Sequence, residues 1–120
     1  MNLSEDWDVI WRWQWFRRPT WEQHFADPTH PEGRTARVTP IWDWILKQYG
    51  AQTVLDCNSG IGVRSILLQE SGFDMTGIDI SPEATGYAQQ LAAKRDCAAE
   101  FKCMAWSEVV DRFDQKFDAI

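Results

Sequence analysis

The sequence predicts an α/β fold, a parallel sheet with helices packed on its faces. Three observations carry this expectation. Strand-like runs at 53–57, 74–79 and 100–104 alternate with segments of helical period. The links between them are short, which makes neighbouring strands parallel and lays the helices over the sheet. A turn with two glycines, Asn58-Ser59-Gly60-Ile61-Gly62, joins the first strand to the first crossover helix.

The elements follow in chain order. Ser4 is expected to cap a first helix, with Glu5 and Asp6 in the turn where the dipole favours anions. Trp7, Ile10, Trp11 and Trp15 recur at helical spacing, Arg17 and Arg18 suit the last turn, and Pro19 stops it. Residues 19–33 are rich in Pro, Thr, Asp and His and read as an irregular connection holding His24 and His30 as solvated loop residues. A second helix starts near Thr35 or at Thr39-Pro40. Ile41, Trp42, Trp44, Ile45, Leu46 and Tyr49 give it a broad apolar face, and Gly50 ends it.

After the glycine turn, Val63, Ile66 and Leu67 begin a helix that Gly72 closes. Ser81-Pro82 opens the next, with Ala84, Tyr87, Ala88, Leu91 and Ala92 on one face. A short polar helix or loop covers 107–115, and Phe117-Asp118-Ala119-Ile120 is a fourth strand just starting. Ile120 stops in the middle of that apolar strand. The sheet is therefore expected to be truncated after about four strands, a fragment with an unfinished apolar face and a naked edge. The expected division is 1–33, a Trp-rich helical segment and irregular connection, and 34–120, the front half of a nucleoside-binding domain.

The 120 residues fit one domain. Twelve basic and 18 acidic side chains leave a formal charge of −6, which argues against a nucleic-acid partner. The interleaved bases and aromatics of Trp11-Arg12-Trp13 and Trp15-Phe16-Arg17-Arg18 do not outweigh that acidity. Cys57, Cys97 and Cys103 lack C-x-x-C spacing, so neither a zinc site nor a disulfide framework is expected; buried free thiols are. The acidic, polar start is no signal peptide, and no apolar run reaches the length of a membrane span. The expectation is a cytoplasmic protein with no membrane partner; a homo-oligomer stays open.

The chemistry concentrates between Val54 and Asp79. Gly60 and Gly62 let the backbone approach a ligand, and the helix that follows points free N–H groups the same way. Ligands of open parallel sheets bind at the carboxyl ends of the strands, where this loop sits. Asp79, at the end of the next strand, has the spacing of an acid that accepts from ribose hydroxyls. Loop and acid are expected to face each other across a nucleoside-sized gap. Asp56, at the tip of the first strand, would repel a dinucleotide's pyrophosphate but suits the ammonium and sulfonium of S-adenosylmethionine. A nicotinamide-dependent oxidoreductase half-domain remains an alternative, because Gly60-Ile61-Gly62-Val63-Arg64-Ser65 nearly fits that fingerprint. A nucleoside-binding adaptor without activity is another.

At these residues the sequence resembles the class I S-adenosylmethionine-dependent methyltransferases, whose Rossmann-like sheet it would share. Val54-Leu55-Asp56-Cys57-Asn58-Ser59-Gly60-Ile61-Gly62 is similar to their first motif, with Asn58 in place of a glycine. Gly77-Ile78-Asp79-Ile80-Ser81-Pro82 is similar to their second. The stretch Gly62 to Phe73, with Arg34-Thr35 upstream, resembles the glycine and sarcosine N-methyltransferase group. The resemblance implies that Arg34 holds the cofactor carboxylate. It implies that Asn58 meets the methionine moiety through its backbone, and that Asp79 holds the ribose with Ile80 beside it. Ala105 and Trp106 fall where the family lines the adenine pocket. Ala105 lacks a side chain for the adenine amino group, so backbone N–H groups would have to serve. Val38 stands where that group carries a tyrosine.

The implied function is methyl transfer to a small-molecule acceptor, an amine on the glycine or sarcosine pattern. Such transfer is an in-line displacement in which the protein positions the reactants and excludes water. No catalytic residue is assigned. The N-terminal tryptophans are expected to pack against the sheet or a partner.

Overall fold

The computed structural model describes residues 3–17, 34–114 and 116–120, giving only the backbone of 11–17 and 34. The connection over 19–33, with His24 and His30, and the side chains of Trp11, Trp15 and Arg34 lie outside the described residues.

Helix α1 is Leu3–Arg17. Ser4 lies inside its first turn and is not the cap expected from the sequence. A hydroxyl there no longer faces the free N–H groups of the helix start. It instead donates to the Ile80 carbonyl at 3.0 Å.

Helix α2, Arg34–Gln48, begins at the earlier of the two expected places and carries Pro40 inside it. Pro40 has no N–H to give the preceding turn. Thr39 Oγ1 donates to the Thr35 carbonyl at 2.7 Å in the same turn. Gly50, at φ 65°, ends the helix. Its N–H reaches the Lys47 carbonyl and that of Ala51 reaches Leu46, a Schellman ending. The broad apolar face is only partly used. Leu46 packs on the core, whereas Ile41, Trp42, Trp44 and Tyr49 are exposed. Six apolar positions wrap too far around the helix for one neighbouring helix to cover.

Strands β1 (Thr53–Cys57), β2 (Asp74–Asp79) and β3 (Glu100–Cys103) form a parallel sheet in that order. The crossovers are α3 (Val63–Glu70) and α4 (Pro82–Lys94). A 3₁₀ turn, Trp106–Glu108, leads into a short helix α5, Val109–Arg112. The expected fourth strand is present as one parallel bridge, Ala119 to Val54, with Leu55 N–H donating to the Ala119 carbonyl. Because Ala119 joins β1 on the side away from β2, the winding reverses at β1. That reversal is a topological switch point, the place where open α/β sheets bind ligands.

Alternation along the strands separates two packed faces. On the helical face, Val54, Met75 and Phe101 join Ile66 and Leu68 of α3 and Ala88, Leu91 and Ala92 of α4. On the other face, Leu55, Ile78 and Met104 are covered by Val109, Phe113 and Phe117. The face expected to be bare thus carries a small second cluster.

The start of α4 is built twice over. Ser81 is its N-cap, with Oγ accepting from Ala84 N–H at 3.1 Å, and Pro82 follows in the first helical position. Asp8 of α1 adds a carboxylate at the same end, accepting from Ser81 Oγ and from Glu83 N–H. An anion at a helix N-terminus is stabilising, and here it docks one helix on another. The three cysteines are free thiols, but the expected burial is corrected: Cys57 and Cys97 are partly exposed and Cys103 is exposed. Cys103 ends β3, where no further element among the described residues covers it.

Candidate functional site

Apart from Arg34, the residues singled out in the sequence lie at or just beyond the carboxyl ends of the three strands. Strand register sets the first row: Asp56 pairs with Gly77, and Gly77 with Phe101. All three therefore sit on the helical face, just beneath the loop.

The loop 58–62 has an alternating backbone. Asn58, Gly60 and Gly62 take φ of 58°, 57° and 81°. The left-handed region is cheap for glycine and tolerable for asparagine, so Asn58 stands in for a glycine without breaking the pattern. The loop is pinned by Ser59 N–H to the Ile78 carbonyl at 2.9 Å and by Gly62 N–H to the Ser59 carbonyl at 3.0 Å.

The missing side chains at Gly62 and Gly77 serve packing. A Cβ at Gly62 would come within 2.6 Å of the Phe101 ring and 2.9 Å of Ala88; one at Gly77 would meet the same ring at 2.6 Å. Phe101 lies across Gly77 and supports the loop from below. The sequence pattern assigns Gly62 to ligand approach, yet the steric need there comes from this aromatic ring. Phe101 was missed because a lone aromatic in a strand reads as ordinary core.

Asp79 meets the loop directly. Its Oδ2 accepts from Gly60 N–H and its Oδ1 from Ser81 N–H, both at 2.9 Å, with the residue 8% exposed. The expected nucleoside-sized gap between them is therefore corrected to a hydrogen bond. A carboxylate offers about four lone-pair positions, so two remain for further donors. Ile80 follows, half-buried, its carbonyl accepting from Ser4.

Asp56 lies under the start of α3. Its Oδ2 accepts from Ser65 Oγ at 2.8 Å, and its Oδ1 lies 3.9 Å from Arg64 Nη1. Burial pushes its carboxyl above the ordinary range; Ser65 and Arg64 pull the other way, and nearby Asp79 adds to the rise. Arg64 is the main residue the sequence reading passed over. Its guanidinium carbon stands 5.9 Å from the centre of the Trp42 ring. Among the described residues its Nε is buried and has no hydrogen-bond partner. The available signal is a cation two positions after the glycine loop and eight positions beyond an acid.

At the end of β3 the picture departs from expectation. The Ala105 N–H, expected to be offered to an adenine, is occupied by Glu108 Oε2 at 2.8 Å. Glu108 thereby brings a carboxylate to the position where Ala105 lacks one. Trp106 beside it is 69% exposed. Arg34 opens α2, and its side chain lies outside the described residues.

The donor set fits S-adenosylmethionine. A largely buried acid at the β1 tip suits a cationic ligand, and the orphaned Arg64 Nε is a buried donor lacking an acceptor. A crevice of approximately 490 Å³ opens between α1 and α4, lined by Asp8, Pro82, Glu83, Gly86, Tyr87 and Gln90. Among the described residues there is no cluster of metal-ligating side chains and no helix long and apolar enough to cross a membrane.

Comparison with known proteins agrees with this fold. The chain is 36% identical over 75 residues to a glycine/sarcosine N-methyltransferase of Aphanothece halophytica, a match covering 62% of this chain and 28% of that protein. It is 38% identical over 68 residues to the glycine N-methyltransferase of Homo sapiens, covering 57% and 22%. It thus spans about a quarter of the length of the curated relatives it matches. Its fold is that of the magnesium protoporphyrin IX methyltransferase ChlM from Synechocystis PCC 6803 with bound SAH. That superposition has a TM-score of 0.57 at 22% identity, covering 81% of this chain and 48% of the other. The profile of the methyltransferase domain family matches residues 54–120, more than half of the chain. The protein belongs to that family, the S-adenosylmethionine-dependent class I methyltransferases.

Proposed function

We propose that residues 34–120 form the cofactor-binding half of an enzyme that transfers a methyl group from S-adenosylmethionine to a small-molecule amine. One observation carries the cofactor part. Two carboxylates, Asp56 and Asp79, flank a single glycine loop. A dinucleotide's pyrophosphate would meet repulsion there, whereas a ligand with a ribose, an ammonium and a sulfonium meets none.

When bound, S-adenosylmethionine supplies an electrophilic methyl group on its sulfonium. The chain's own residues bind and orient. In this reading Asp79 uses its two remaining lone-pair positions for ribose hydroxyls, while Gly60 and Ser81 hold it in place. Asp56 receives the ammonium, and Asn58 and Gly60 line the methionine moiety with backbone. Gly62 and Phe101 keep the loop in its bound shape, so little ordering is left for the ligand to impose. Ile80 and the exposed Trp106 border the nucleoside, and Arg34 reaches from the start of α2.

The amine acceptor rests on two supports. The relatives named above are glycine or sarcosine N-methyltransferases. The crevice beside Pro82 is lined by Asp8, Glu83 and Tyr87, a surface that attracts an ammonium before it loses its proton to react.

Titration calorimetry with S-adenosylhomocysteine and with NADH tests the cofactor reading. Binding of the first and not the second is expected. Preference for NADH would overturn it. Methyl transfer to glycine or sarcosine by the full-length enzyme tests the acceptor.

A further inference from the structure

We propose that the crevice between β3 and α5 binds a small organic anion, with Lys102 and Arg112 receiving its carboxylate and Met104 and Phe113 its apolar body. The site is separate from the proposed cofactor loop and does not rest on that reading.

Strand alternation places it. Lys102 pairs with Ile78, one residue after Phe101 pairs with Gly77. Its side chain therefore leaves the sheet on the face of Leu55 and Ile78, opposite the face that carries Phe101 and the glycine loop. Arg112 comes from the last turn of α5, where a cation suits the helix dipole. Phe113 then turns extended, at φ −115° and ψ 120°, and packs on the cluster of Leu55, Ile78 and Met104. The two cations and two apolar side chains border approximately 360 Å³, space enough for a small ligand.

Charge decides what enters. The chain as a whole carries −6, yet among the described residues that line this crevice two are cations and none is an acid. Both cations are held. Lys102 Nζ stands 4.8 Å from the centre of the Phe113 ring, an attraction that keeps the ammonium at the crevice wall. Phe117 braces that ring edge-on, with centres 5.3 Å apart. Arg112 Nη1 lies 3.5 Å from Glu108 Oε1, and both side chains are exposed. An exposed i,i+4 pair of that length is weak, so the guanidinium fork yields to a ligand carboxylate that offers it two oxygens. Glu108 keeps a partner when it does, since its other oxygen accepts from the Ala105 N–H. Met104 is buried and Phe113 half-buried, and an apolar ligand body covers what they still show to water.

Benzoate is the probe, a carboxylate on a ring, and benzamide is its neutral counterpart. Amide resonances of the 120-residue chain are followed as each is added. Benzoate should shift residues 102–104 and 109–113 with a Kd of about 1 mM. Benzamide should bind about tenfold or more weakly for want of the charge. Lys102→Gln and Arg112→Gln should each weaken benzoate about 3- to 10-fold, and the two together should abolish the shifts, while resonances of the glycine loop stay in place. Inorganic phosphate, charged but without an apolar body, should bind more weakly than benzoate. Equal binding of benzoate and benzamide would overturn the assignment to an anion. Phosphate binding as tight as benzoate would overturn the role of Met104 and Phe113. Shifts confined to residues 58–62 and 79 would put benzoate in the cofactor loop and overturn the site, as would unchanged affinity in the doubly substituted chain. So would the absence of any shift at about 10 mM benzoate, well above the expected Kd.

Discussion

The Asp79 carboxylate accepts a hydrogen bond from the Gly60 backbone N–H at 2.9 Å, across a separation of 19 residues. The acid that closes β2 and the turn that follows β1 are thus one unit. Its other oxygen holds Ser81, the residue that caps α4. A single side chain therefore fixes the shape of the loop, the start of a helix and the place where a ribose is proposed to sit.

Removing that side chain should cost stability and affinity together. Asp79→Ala leaves the Gly60 and Ser81 N–H groups without an acceptor in a buried place. The expected destabilisation is about 2–6 kcal/mol, from about 1–3 kcal/mol for each of the two orphaned donors. Urea unfolding measures it. Affinity for S-adenosylhomocysteine should fall by about 2–4 kcal/mol as the hydroxyls lose a charged partner. Asp79→Asn separates the two effects, because its oxygen can still accept from one N–H. If Asp79→Asn folds and binds as tightly as the unsubstituted chain, the ribose contact is wrong.

Much of this unit is legible in the sequence. β2 runs over the residues that periodicity marks, and Ser81-Pro82 opens α4 because a hydroxyl cap and a proline leave few other choices. The spacing of loop and acid predicts that they face each other, but across a gap, whereas the Gly60 N–H and Asp79 join directly. What the sequence conceals is which partners pairwise geometry selects. Ser4 looks like a cap by local rules, yet its hydroxyl goes to Ile80, 76 residues away. Pro40 looks like a helix start, but the helix passes through it. Ala105 looks free to serve a ligand until Glu108 folds back on it. Phe101 and Arg64 act through contacts across strands and helices that no local pattern records.

The support of the loop by Phe101 leads to a double-substitution test. Gly77→Ala places a methyl group 2.6 Å from the Phe101 ring and 2.8 Å from Ser59 Oγ. Overpacking of this kind costs about 1–3 kcal/mol, read as a lowered unfolding midpoint. Phe101→Leu should relieve part of that cost, giving a favourable coupling of about 0.5 kcal/mol or more between the two changes. Strict additivity in a double-mutant cycle would show that the ring is not what excludes a side chain at 77.

Asp56 couples stability to function with opposite signs. Burial raises its carboxyl above the value it has in the unfolded chain. The sign follows from linkage: stability from the neutral acid is fully present below the unfolded carboxylate range. It is lost as pH rises through the raised folded value. At neutral pH the charged Asp56 therefore weakens the fold. Asp56→Asn should make the chain more stable at pH 7 while the difference vanishes in acid, since Ser65 keeps an oxygen acceptor. The same variant should bind S-adenosylhomocysteine about tenfold or more weakly, through loss of the charge that meets the ammonium. Unfolding midpoints from pH 3 to 8 beside calorimetric affinities decide the matter. A variant less stable at pH 7 would contradict the assigned cost of the buried charge.

Helix α1 is tied to the site by Asp8, which accepts from Ser81 Oγ and Glu83 N–H at the start of α4. Ser4, one turn earlier, holds the Ile80 carbonyl. These contacts lie within four residues of Asp79, so the N-terminal helix and the cofactor loop meet at one junction. Asp8→Ala removes a carboxylate from a helix N-terminus and one of the α1 anchors together. The expected loss is about 1–2 kcal/mol, the usual range for a cap with its dipole contribution. Because Ser81 still caps α4 through Ala84, the loss should fall mainly on the docking of α1. Hydrogen exchange should then quicken along 3–17 while β1 and β2 keep their protection. Uniform quickening across the sheet would mean that Asp8 supports the whole domain, and unchanged exchange in α1 would mean that its docking does not depend on this carboxylate.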